Sequence, residues 1–96
     1  MNTSPVTLLL DRLADQLAPT AMTIMVKTCR TEMRNASTEK KEAAMAAMRS
    51  KAGPIMDTLM SDIAKTPSRA RQAFQTAALD LAQAGINVLR KNPPLQ

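Results

Sequence analysis

Between Thr66 and Asn92, Ala70, Phe74, Ala77, Ala78, Leu81, Gly85, Val88 and Leu89 recur at steps of three and four, the period of one face of an α-helix. That spacing predicts a single amphipathic helix over residues 67–91. Pro67 suits its first position, where the missing amide would be unpaired anyway, and Thr66 supplies a capping hydroxyl. The stripe passes through Gly85 in phase, so this glycine reads as a packing position inside the helix although it costs about 1 kcal/mol relative to alanine. Arg90 and Lys91 place positive charge at the negative end of the helix dipole, and Asn92, Pro93 and Pro94 stop continuation. Alanine at 70, 73, 77, 78, 82 and 84, with Gly85, leaves a face of little bulk that a second helix can approach closely. Leu79 and Ile86 widen the apolar surface to one side. Either the helix is central in a bundle or it also meets a second subunit.

The rest of the chain must arrange itself around that helix. Ser4-Pro5 opens a first helix with Val6, Leu9, Leu10, Leu13 and Leu17 on one side, and Pro19 ends it near Ala18 because the residue before a proline disfavours helix. A second helix carries Met22, Met25, Val26, Cys29 and Met33. Lys40 would fall at the centre of that stripe if it continued, and Glu39 and Glu42 precede Arg49 and Lys51 as a new helix dipole favours, so a break is expected at 35–38 with Ser37 or Thr38 as cap. Ala44, Met45, Met48 and Ala52 mark a third helix, which Gly53-Pro54 closes while opening a fourth with Ile55, Met56, Leu59, Met60 and Ile63. The expected fold is all-α: a compact bundle of about five short-to-medium helices, near 5–18, 20–35, 38–52, 54–65 and 67–91, with tight Pro/Gly connectors. A chain of 96 residues has room for one domain, here with frayed tails at 1–4 and 92–96.

One phenylalanine and no tyrosine or tryptophan leave the core to Leu, Ile, Val, Ala and eight Met, and unbranched Met fills gaps without imposing one geometry. A core of that kind makes Phe74 the expected keystone. A lone cysteine, Cys29, rules out an internal disulfide and fits a reducing compartment. The apolar run Val6 to Leu10 is too short for a secretory signal, no basic residue precedes it and Asp11 ends it, so a cytoplasmic location is the expectation. The net charge is +5, and of the charged side chains residues 49–96 hold seven basic and three acidic, so attraction to any acidic partner centres on the second half.

Catalysis finds little support. Histidine is missing, the chain's two glycines make no phosphate-cradling loop, and the pairs Asp11 with Asp15 and Asp57 with Asp62 lie among polar neighbours as solvated carboxylates do. Cys29 sits in a Met and Val stripe, where a neutral structural thiol is expected rather than a nucleophile. Met22, Met25, Cys29 and Met33 on one face resemble soft ligands for Cu(I), but thioethers at helical spacing are ordinary core, and Met45, Met48, Met56 and Met60 repeat the pattern without a thiolate. No enzyme activity, cofactor or metal is expected, and Asp11 and Asp15 on the first helix's polar face argue against a membrane surface.

Two binding readings are left. In the first, the protein is a small regulator, inhibitor, adaptor or chaperone that presents a helical surface to another protein, with Lys65, Arg69, Arg71, Gln72, Gln75, Leu79 and Ile86 as partner-binding candidates and a homodimer through Leu79 and Ile86. In the second, residues 55–76 form a helix-turn-helix-like arrangement on duplex DNA, with Ser68, Arg69, Arg71, Gln72 and Gln75 near the groove; Arg and Gln suit guanine and adenine edges. Wide dispersal of the basic residues favours the protein partner. Only Lys65, Arg69 and Arg71 cluster without an expected acidic neighbour.

Overall fold

The computed structural model describes the backbone of residues 5–91, together with the side chains of residue 8 and residues 11–91. It is all-α, and no strand occurs among the described residues. Three long helices dominate: α1 (Pro5–Thr28), α3 (Thr38–Lys65) and α4 (Ala70–Arg90). A six-residue helix, α2 (Arg30–Asn35), turns the corner between α1 and α3, and a 3-10 turn (Pro67–Arg69) leads into α4. Ser4, Val6, Leu9, Leu10, Asn92, Pro93, Pro94 and the tails expected at 1–4 and 92–96 carry expectations that lie outside the described backbone or side chains.

Two expected boundaries are interior positions. Pro19 lies within α1, and Gly53-Pro54 lies within α3. A proline mid-helix removes one hydrogen bond and crowds the carbonyl four residues back, at about 3 kcal/mol. Both prolines are exposed, so the carbonyls they leave unpaired can be hydrated. On the opposite side, Leu17, Ala21 and Met25 keep a step of four across Pro19, and Ala44, Met48, Leu59 and Ile63, with half-buried Ala52 and Ile55 between them, keep phase across Pro54. Packing of one continuous stripe outweighs the local preference to stop.

The break at 35–38 is where the sequence places it. Ala36 and Ser37 are extended, and Ser37 Oγ accepts a hydrogen bond from the Lys40 amide at 3.1 Å, capping α3. The bend between α1 and α2 falls at Cys29, whose φ of −116° and ψ of 43° leave the helical region. There Arg90 of α4 reaches back, with Nη2 3.5 Å from the Thr28 carbonyl and Nε 3.8 Å from Glu32 Oε2.

Helix α4 is the central element. It packs along both α1 and α3, which approach each other much less closely. Met25 and Met48 meet over Gly85, and Arg90 lies beside Thr28, so α1 and α4 run parallel. Helix α3 is antiparallel to α4: Met48 sits at Gly85 while Asp62 shares a cleft with Ala73. Ala77, Ala78, Leu81, Ala82, Gly85, Ile86 and Leu89 form α4's buried face within a single cluster to which α1 and α3 both contribute. Phe74 is only half-buried at its margin, so the expectation that it anchors the core is corrected; among the described residues Met25, Leu59 and Leu81 are the largest fully enclosed apolar side chains. A helix built of small residues seats two neighbours without needing an aromatic between them.

Candidate functional site

The candidate residues gather at the elbow joining α3 to α4. Helix α3 ends at Lys65, and the chain turns through Thr66, whose amide donates to the Asp62 carbonyl at 2.9 Å and whose carbonyl accepts from the Arg69 amide at 3.0 Å. The Thr66 hydroxyl makes no capping bond, contrary to expectation, because its main chain performs the turn. Pro67 occupies the first position of the 3-10 turn, as its fixed φ and missing amide favour.

This turn opens a cleft of about 300 Å³ lined by Asp62, Lys65, Thr66, Arg69, Gln72, Ala73 and Thr76. A second, smaller cleft of about 160 Å³ shares Asp62, Ala73 and Thr76 with it and continues along α3 and α4 past Ile55, Leu59 and Ala77 to Asp80. The two form one furrow, with Lys65 and Arg69 at the elbow, Asp62 where the clefts join, and Asp80 at the far end. Asp62 is therefore an acidic neighbour of Lys65 and Arg69, which corrects the expectation that this basic cluster has none. A carboxylate there lowers the local positive potential that a phosphate backbone would meet.

The predicted residues divide among different places. Lys65, Arg69 and Gln72 line the furrow; Arg71 and Gln75 are exposed outside it. Leu79 is 55% exposed, on the outer stripe of α4 with Gln72, Thr76 and Gln83. Ile86 is only 5% exposed and belongs to the chain's own core, so it offers nothing to a second subunit here. Asp62, Ala73, Thr76 and Asp80 were not singled out from the sequence, yet Ala73, Thr76, Ala77 and Asp80 keep a helical step along one flank of α4, which was the available signal.

No known protein family, curated protein or solved structure matches this chain.

Over residues 55–76, read from the sequence as helix-turn-helix-like, α3 ends at Lys65 and α4 begins at Ala70 after the 3-10 turn. The two helices lie beside each other as an antiparallel hairpin from Met48 and Gly85 to the elbow. A shared apolar face holds the two helices together.

The sulfur-bearing face is divided as well. Met25 and Cys29 are buried, Met22 and Met33 are half-buried, and Met25 turns to Met48 over Gly85. Burial first, and the neighbouring Glu32 carboxylate second, raise the Cys29 thiol above its ordinary range, which holds it neutral and unreactive at pH 7. Among the described residues no group of three or more His, Cys, Asp or Glu side chains could hold a metal ion, and no helix is long and apolar enough to cross a membrane.

Proposed function

We propose that the protein is a non-catalytic binding module of the regulator, inhibitor, adaptor or chaperone type, which works by presenting the elbow and outer face of α4 to another protein in a reducing, cytoplasmic setting. The observation that carries this reading is the make-up of that face. Leu79 stands 55% exposed among neutral neighbours, Gln72, Gln75, Thr76 and Gln83, with Lys65, Arg69 and Arg71 confined to one end. An exposed leucine ringed by uncharged amides can be desolvated cheaply, as a protein interface requires, while cations at the rim steer and orient the partner. A nucleic-acid surface would instead spread Lys and Arg along the face to neutralise successive phosphates. The buried neutral thiol of Cys29 fits a compartment that keeps thiols reduced.

The test is affinity capture from a native lysate, with and without nuclease, using the wild type and Leu79→Asp. Stoichiometric recovery of a protein by the wild type, resistant to nuclease and lost in the variant while its helical circular-dichroism signal persists, is the expected result. Recovery of nuclease-sensitive duplex DNA without a stoichiometric protein, abolished by replacing Arg69 and Arg71 together, would overturn it in favour of DNA.

A further inference from the structure

Met22 of α1 and Met45 and Met48 of α3 wall a crevice of about 90 Å³ that also touches Leu81 of α4, with Ala18 and Ala52 lining it from the two outer helices. It lies between α1 and α3, where those helices stand apart, and it shares no residue with the furrow at the elbow. No polar atom faces it. Arg49 therefore lines it with its methylene stem, and the guanidinium of this exposed residue stands at the mouth. Among the described residues that guanidinium has no carboxylate within ion-pair distance.

The helices on both sides are weakened at this level. Pro19 follows Ala18, and Gly53-Pro54 follows Ala52, so each wall carries a proline beside the crevice. The Thr23 hydroxyl donates to the Pro19 carbonyl at 3.0 Å, a contact that itself favours bending. Burial of the stripes offsets what the prolines cost, but it does not require both to fall in one layer. Breaks in a local rule gather where function needs them, and a helix bends most readily at proline.

We infer that the crevice is a binding site for a small anionic amphiphile, an n-alkyl carboxylate whose chain lies among the methionines and whose head meets Arg49. An apolar cavity of about 150 Å³ takes benzene, so by proportion this space seats about four carbons without movement of its walls. Longer chains are accommodated as the flexible thioether arms give way and α1 and α3 part at their prolines. A polar body would forgo its hydrogen bonds against such walls, whereas an alkyl chain loses nothing there. The cation at the mouth then distinguishes a negative head from a neutral or positive one. The site goes beyond the protein-binding reading, since it lies away from the elbow and Leu79, and the purified chain alone tests it.

The experiment titrates the chain, labelled with 13C at its methionine methyl groups, with butanoate, hexanoate and octanoate, and with octanol and octylammonium at equal chain length, all below their micelle concentrations. Saturable shifts of the Met22, Met45 and Met48 resonances are expected, while Met60, 41% exposed and outside the crevice, stays in place. Binding should tighten by up to about fourfold per added methylene. Octanoate should bind about fivefold more tightly than octanol, and octylammonium more weakly than either. Arg49→Gln, at an exposed position, should remove that preference and leave octanol binding unchanged. Ala52→Leu should fill the crevice and abolish binding of all five compounds, with far-UV circular dichroism confirming that each variant folds. Shifts that do not saturate, shifts of equal size at Met60, or a preference for octanoate that survives Arg49→Gln overturns the inference, and the wild type and Arg49→Gln decide it even where Ala52→Leu does not fold.

Discussion

Substituting Gly85 by alanine sets two effects of similar size against each other, and the packing around it decides the sign. On an isolated helix the change should stabilise by about 1 kcal/mol, because alanine gives up less backbone freedom than glycine. In the folded chain a Cβ at this position would lie 2.5 Å from Met25 Sδ, 3.0 Å from Met48 Sδ and 3.2 Å from Met48 Cγ. Comfortable contacts between such atoms fall at about 3.5–4.0 Å, so Met25 must retreat by about 1 Å and Met48 by rather less. Thioether chains are flexible, which limits the cost. Met25 is only 1% exposed and Met48 5%, however, so neither can swing into water and both must move within a packed interior. Forcing a methyl group into such a core costs about 1–3 kcal/mol. After subtracting the propensity gain, Gly85→Ala should destabilise the protein by about 1 kcal/mol, a fall of about 4–8 °C in Tm for a domain of this size. Urea unfolding followed by far-UV circular dichroism measures it. The decisive comparison is in a Met25→Ala background, itself less stable by about 2–5 kcal/mol, where the added methyl enters vacated space. There Gly85→Ala should reverse sign and stabilise, a coupling that only neighbouring groups show. Stabilisation of the wild type by the full propensity gain, or the same effect in both backgrounds, would show that the two sulfurs do not press on Gly85.

Leu81→Ala, at a side chain 2% exposed, should cost about 3 kcal/mol or more, and Phe74→Ala should cost less because the ring is only half-buried; a larger loss for Phe74 in the same unfolding assay would contradict the placement of the core. The Cys29 thiol is raised by burial and then by Glu32, so it ionises later in the folded chain than in the unfolded one. Its contribution is then fully present below the unfolded value of about 8.5 and lost as pH rises toward the folded value. Stability should be level from about pH 7 to 8 and decline above about 8.5, with a shallower decline in Cys29→Ala; superimposable pH profiles for the two proteins would refute the assignment.

Helical period is a local property, and it was legible in the residues. The stripe from Ala70 to Leu89, the cap at Ser37 and the stop near Arg90 follow from spacing, side-chain hydrogen bonding and dipole sense, and all three appear in the structure. Pro19 and Pro54 could not be settled in the same way. A proline's cost is local, but what offsets it is burial of Leu17, Ala21 and Met25, or of Met48 and Leu59, against α4, a helix distant in the chain. Phe74 follows the same logic: it lies on the correct stripe, yet the most enclosed part of α4 is its smallest, around Ala78, Ala82 and Gly85, and the ring is left at the margin. The candidate site was half visible. Lys65, Arg69 and Gln72 stood out as charge and amide chemistry, and Asp62 and Asp80 stand one helical step from Lys65 and Thr76, whereas the furrow that gathers both sets exists only because an antiparallel hairpin brings one flank of α3 beside one flank of α4. Ile86 and Leu79 looked alike as apolar residues beside a stripe. Which of them faces solvent depends on where α1 and α3 lie around α4, and a single helix's periodicity carries no information about the position of its neighbours.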